Sequence, residues 1–396
     1  MNDHLMNTYR RLPVAFRRGE GAWLEAADGR RYLDALSGIA VCSLGHAHPA
    51  VREAVCRQAG EVVHVSNLYR IPQQEELGTS LCAASGMERV FFANSGAEAN
   101  EAAIKLARLY GHNQGIEEPA IVVMEGSFHG RTMATLTATG NRKVRAGFEP
   151  LLRGFVRAPF GDLEAVRTIA ANNRNVVAIL VEPVQGEGGV RVPEPAYLNG
   201  LREICDDQGW LLMLDEIQTG MGRTGQMFAF QHHEDLQPDV MTLAKALGNG
   251  VPIGACLARG LAAEVLMPGS HGSTFGGNPL ACAAGLAVLQ TLQQEQLVQR
   301  AAELGARMLD GFREALDDVE GVRDIRGLGL MLGIELERPC GELVARALEE
   351  GLLINVTADS VVRLLPPLVI SDEEAEQIVG KTSALIRAFL AEEDAS

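Results

Sequence analysis

The chain has 396 residues, 47% hydrophobic and 22% charged, with 35 Lys and Arg against 51 Asp and Glu, a net charge of −16. That length asks for two or three structural units, and the composition is that of a folded chain rather than a disordered one. So large an acidic excess excludes nucleic acid and anionic membranes as main partners, since both need a basic footprint.

The opening MNDHLMNTYRRLPVAFRRGE has no apolar core of the kind a secretory signal needs. In GAWLEAADGRRYLDAL, Trp23, Leu24, Tyr32 and Leu33 flank Asp28-Gly29, the pattern of a β-hairpin. From about residue 50, helical stretches alternate with short apolar runs that read as buried parallel strands: Val90–Phe92, Ala120–Met124, Val176–Val181, Leu211–Leu214 and Val240–Leu243. These runs are far short of the roughly 20 residues of a membrane span. Between them, Leu198, Leu201, Ile204 and Cys205 share one helical face that Gly209 ends.

After about residue 290 the pattern becomes a long helix through QEQLVQRAAELGARMLDGFREAL, a strand, glycine turn and strand in RDIRGLGLMLGIELE, a helix in GELVARALEEGLL and a strand in VVRLLPP. A last helix opens on the capping box Ser371 to Glu374. The expected fold is therefore α/β: a large domain over 46–288 with a mostly parallel sheet covered by helices, and a small α+β domain from 1–45 and 289–396. The seven cysteines are scattered with no CxxC, which points to free thiols in a reducing cytoplasm and to no zinc site. His46, His48, His232 and His233 lack a companion cluster, so no metal is expected.

In such sheets ligands sit beyond the carboxyl ends of the strands. Gly220, Gly222 and Gly225 match a dinucleotide fingerprint, but the residues after them have no helical period, which disfavours a nicotinamide site. In FFANSGAEAN a strand ends, small residues turn, and a helix begins, so the free amides at Gly96 and Ala97 can receive a phosphate. The strand Leu211–Leu214 runs straight into Asp215, a buried carboxylate that needs a cationic partner. Lys245 stands in apolar surroundings that lower its proton affinity, as a Schiff-base nucleophile requires. A phosphate site, an anion for a ring nitrogen and an activated amine are together what pyridoxal 5′-phosphate needs.

The chain resembles the class III (fold type I) aminotransferases along nearly its whole length, in NSGAEANEAAIKLAR, GSFHGRT, VEPVQGEGG, LDEIQTGMGRTG, LAKALGNGVPIGA and GSHGSTFGGNPLACAA. The resemblance implies a δ-amino transfer between N2-acetylornithine and 2-oxoglutarate, giving glutamate, in arginine biosynthesis. It implies Lys245 as the cofactor-bearing lysine, Asp215 on the ring nitrogen, Gln218 on the ring hydroxyl and Phe128 stacked on the ring. Glu216 and Ile217 fall in the same cofactor segment. Thr274 would join Gly96 and Ala97 on the phosphate from the other subunit of a homodimer. Arg131 and Ser273 would hold the acyl-ornithine, Arg363 would take the carboxylate of glutamate or 2-oxoglutarate, and Glu182 would pair with Arg363 in between. Succinylornithine, ornithine and 4-aminobutyrate transfer remain open alternatives, and a nicotinamide dehydrogenase a remote one.

Overall fold

A computed structural model describes residues 4–392; residues 1–3 and 393–396, which the expected small domain includes, lie outside it. The chain end forms β1 (Phe16–Glu20), β2 (Trp23–Ala26) and β3 (Arg31–Asp34), with Trp23 opposite Leu33 and Leu24 opposite Tyr32 as the hairpin pattern requires.

The main sheet uses β4 (Arg89–Ala93), β5 (Ala120–Met124), β6 (Phe155–Ala158), β7 (Val176–Val181), β8 (Leu211–Asp215), β9 (Val240–Leu243) and β10 (Gly254–Ala258). Their order is β4-β10-β9-β8-β7-β5-β6, with β10 antiparallel to both its neighbours and β5 to β9 parallel. All five expected runs are strands. Alternate residues of β5 and β8 enter different cores. Ile121, Val123, Leu211 and Met213 pack with Ala103, Leu106 and Ala107 of the helix Gly96–Asn113. Val122, Met124, Leu212 and Leu214 pack with Leu198, Leu201 and Ile204 of the helix Tyr197–Gln208. A sheet covered on both faces is what the unbroken apolar runs demand.

The C-terminal part adds β11 (Val322–Leu328), β12 (Met331–Leu336), β13 (Leu352–Leu353), β14 (Asn355–Thr357) and β15 (Val361–Leu364). β11, β12, β15 and β14 form an antiparallel sheet, while β13 pairs in parallel with β3, joining the two chain ends. The last helix, Asp372–Ala391, carries the expected capping box, and Glu374 also accepts a bond from the Trp23 indole at 2.7 Å. No described helix is long and apolar enough to cross a membrane.

Candidate active site

The carboxyl ends of β4, β5, β7, β8 and β9 and the entry to β10 surround a cavity of about 450 Å³. At the end of β4, the Ser95 hydroxyl caps the helix Gly96–Asn113 by accepting from Glu98 N at 3.2 Å. The first-turn amides of that helix have no intrahelical acceptor, so Gly96 and Ala97 present donors and the positive end of a dipole to the cavity. The glycines of this cradle have no room for a side chain. A Cβ on Gly96 would come within 2.8 Å of Ile217, and one on Gly130, whose φ is 138°, within 2.9 Å of the Ala97 methyl. The close approach continues beneath: a Cβ on Gly254 would lie 2.3 Å from Ser95 O.

Asp215 ends β8, buried and facing the cavity. Its Oδ2 accepts from Asn100 Nδ2 at 2.8 Å and is bonded to His129 Nδ1 at 2.7 Å; its Oδ1 accepts from Ile217 N at 3.1 Å. Phe128 lines the same wall, with the Arg131 guanidinium 5.7 Å from its ring centroid. Arg131 makes no ion pair among the described residues and is exposed at the cavity.

Lys245 follows β9 with a left-handed φ of 44°. Burial lowers its ammonium from an ordinary 10.5 to about 8; nearby Arg363 works the same way, while Glu187, Asp215 and Glu182 oppose it. Lowering it makes a neutral amine with a usable lone pair far more accessible near neutrality than on an exposed lysine.

Arg363, in β15, is wholly buried. It donates to Glu187 Oε1 at 2.7 Å, to Gln218 Oε1 at 3.3 Å, and through Nε and Nη2 to Asn355 Oδ1 at 3.2 and 2.7 Å. The sequence expectation that Glu182 pairs with Arg363 is therefore corrected: the ion pair falls on Glu187, in the same VEPVQGEGG segment. Glu182 instead accepts from the backbone N–H groups of Phe128 and Gly186, at 3.0 and 3.2 Å. Burial, with Asp215 adding to it, pushes its carboxyl up to about 7.

A second correction concerns Glu216. It is buried outside the cavity, because successive residues leaving β8 point to opposite sides. Its carboxylate accepts from Ala229 N, Phe230 N and the Thr219 hydroxyl at 2.9, 2.8 and 2.6 Å, and braces the turn that follows. Ile217 and Gln218 do line the cavity. Ser273 and Thr274 do not. Ser273 accepts from Asn94 Nδ2 at 3.3 Å, and Thr274 is exposed. The glycine loop over 220–225 leads to a short 3-10 turn, Ala229–His232, rather than a long helix, and its Arg223 is buried against the chain ends. Asn100, His129, Asn355 and Glu187 have contacts here that sequence reading did not single out. Asn100 alone left a trace, as a polar residue on the apolar face of its helix.

The cavity fits pyridoxal phosphate: a cradle closed to larger side chains at a helix N-terminus, a carboxylate at its wall and a lysine of lowered proton affinity.

The family model for class-III aminotransferases matches residues 5–386. An acetylornithine aminotransferase of Nitrosomonas europaea is 62% identical over 98% of both chains. Among solved structures, the ornithine aminotransferase of Toxoplasma gondii ME49 superposes with a TM-score of 0.94 at 36% identity, covering 99% of this chain and 94% of that one. The N-acetylornithine aminotransferase of Stenotrophomonas maltophilia K279a superposes at 0.84 with 37% identity, covering 97% and 98%. With its cavity built from the motifs that resemble that family, and a match along nearly its full length, the chain belongs to the class III aminotransferases.

Proposed function

We propose that the chain is a pyridoxal phosphate-dependent acetylornithine aminotransferase, transferring the δ-amino group of N2-acetylornithine to 2-oxoglutarate in arginine biosynthesis. The observation that carries this reading is a pair of arginines at one cavity: Arg131 on its wall, without an ionic partner among the described residues, and Arg363 behind the wall, bonded to the lining residues Glu187 and Gln218. Two substrates that share a carboxylate but differ at the other end need two separate cationic anchors.

Gly96 and Ala97 would hold the phosphate, Phe128 would cover the ring, and Asp215 and Gln218 would serve its nitrogen and its hydroxyl. When bound, pyridoxal phosphate supplies the aldehyde that exchanges amino groups and a ring that accepts electrons. Lys245 Nζ would take the proton from the substrate carbon that bears the amine and pass it to the cofactor carbon that receives the amine, and would carry a proton the opposite way when the second substrate is aminated. Arg131 binds the α-carboxylate of acetylornithine, while Glu187 neutralises Arg363. The second substrate's carboxylate replaces Glu187 on Arg363 through a bidentate fork.

Residues 46–288 form the cofactor domain, and the described residues of 1–45 and 289–396 the smaller one, a division supported by the β3–β13 pairing. The enzyme works as a homodimer in which Thr274 reaches the cavity of a second copy. Val63, Leu68, Tyr69 and Phe275 are large exposed apolar side chains, and Asn67 Nδ2 ties their two segments together by donating to Ser273 O and Gly276 O, both at 3.1 Å. A patch of this kind marks a protein contact.

Ornithine transfer is the second reading, favoured by the 0.94 superposition on an ornithine aminotransferase. Mixing the cofactor-loaded protein with single amino donors and following the cofactor's visible absorbance separates the two. Acetylornithine and glutamate should bleach it at least about tenfold faster than ornithine or 4-aminobutyrate. Faster bleaching by ornithine would replace the first reading with the second, and bleaching retained in Lys245→Ala would defeat both.

A further inference from the structure

Asn100 has no exposed surface, yet it touches neither of the substrate anchors. A primary amide without solvent is costly unless its donors and acceptor are satisfied. Here three bonds do so. Nδ2 donates to Asp215 Oδ2 and to His129 O, both at 2.8 Å, and Thr242 Oγ1 donates to Oδ1 at 2.8 Å. The amide can point only one way. A carboxylate and a backbone carbonyl accept and cannot donate, so the NH₂ must face them and Oδ1 must face the threonine.

One side chain on the helix Gly96–Asn113 thus ties together the end of β8, the middle of β9 and the loop that carries Phe128. The bonds on Asp215 are unequal. Oδ2 is engaged by both Asn100 and His129, whereas Oδ1 receives only the Ile217 amide. The oxygen with spare accepting capacity belongs to a residue of the cavity wall.

We propose that Asn100 is a positioning residue for the transamination: it fixes the plane of the Asp215 carboxylate and the seat of the His129 ring, so that Oδ1 is the oxygen left for the cofactor. This rests on the functional reading above. It deepens that reading by assigning the carboxylate's orientation to a residue that touches neither substrate nor cofactor. Thr242 acts one step further back, by holding the amide.

The test uses Asn100→Asp, nearly isosteric but with acceptors where the two N–H donors stood, and Thr242→Val, which removes only the outer bond and keeps the volume. For each cofactor-loaded protein one measures kcat and KM, the pH titration of the bound cofactor's absorbance, and the urea midpoint. Asn100→Asp should lower kcat by about a hundredfold or more with KM changed less than about threefold, and should move the absorbance titration. Thr242→Val should move the titration in the same direction, with a kcat loss of about three- to tenfold. Losses of kcat that track the urea midpoint, with the titration unmoved, would reduce Asn100 to a structural residue and overturn the proposal. So would an unchanged kcat in Asn100→Asp. A wild-type protein that took up no cofactor would overturn the functional reading as well, whereas normal uptake with identical titrations in all three proteins would overturn this role alone.

Discussion

Two arginines are wholly buried among the described residues, and they are buried in opposite ways. Arg223 donates to the carbonyls of Leu330 and Pro366 and to the Ser43 hydroxyl, with no carboxylate in bonding range. Burial pushes its guanidinium down to about 9, only partly opposed by Asp34. Arg363 is bonded to Glu187, whose side chain is 36% exposed, and to the side chains of Asn355 and Gln218. Backbone carbonyls cannot leave; a half-exposed carboxylate on a loop can. The first arrangement is a clasp between chain segments, and the second is a site whose anion can be exchanged.

Breaking the clasp should have the largest effect. Arg223→Met leaves three acceptors without their donor, and we predict a loss of about 3–5 kcal/mol in urea unfolding, with unchanged KM values in the protein that folds. A stability change below about 1 kcal/mol would remove the distinction. Arg363→Ala should do the reverse. We expect KM for 2-oxoglutarate to rise by about a hundredfold, roughly 2.7 kcal/mol, while KM for acetylornithine changes only a few-fold. Equal rises for both substrates would show that the arginine does not distinguish them.

The surroundings of Arg223 can be probed by pH. Asp34 is bonded to His46 Nε2 at 2.8 Å. Although burial opposes it, this pairing, with Cys42 adding to it, raises the His46 imidazolium from 6.5 to about 9. A raised folded-state value means stability that is complete below about pH 6.5 and lost as pH rises through about 9, on the order of 1–3 kcal/mol. Urea midpoints of wild type and His46→Ala should therefore converge on the alkaline side; parallel curves would sink this account. The smallest effect tests the corrected ion pair. Glu187→Gln should lower KM for 2-oxoglutarate by about three- to tenfold, because the carboxylate bonded to Arg363 then no longer competes for it. Glu182→Gln should leave the ratio of the two KM values alone, and the opposite ranking would restore the original assignment.

That assignment shows where sequence reading stopped. Both carboxylates lie in VEPVQGEGG, and which one reaches Arg363 depends on the turn through Gly186, Gly188 and Gly189 and on a strand far along the chain. Spacing holds no such information. The strands were legible where burial on both faces made unbroken apolar runs, as in Val176–Val181, whose six residues are all buried. β6 was not, because FVRA lies at a sheet edge and is half-buried, and β10 was not, because GACLA is built of small residues. Lys245, Asp215 and Gly96 were legible since each follows an apolar strand, where the fold gathers its ligand groups. Glu216 obeyed the same rule but emerged on the wrong side. The bonds of Asn100 could not be seen, since an amide's partners are set by three-dimensional packing.

The reversed direction of β10 has a consequence for how Lys245 works. Because β10 runs against β9, the chain leaves one strand at Leu243 and enters its neighbour at Gly254, and the lysine sits on the short arch between them. Lys245 and Asn249 both take left-handed φ values of 44° within that arch, and the Asn249 amide is bonded at both ends, to Leu44 N and Gly45 O. With its ends fixed in β9 and β10 and its middle pinned through Asn249, the arch holds the lysine's backbone in place. Whatever travel the reaction asks of the amine must come from the lysine's own hydrocarbon stem, turning on a pivot that stays put between turnovers.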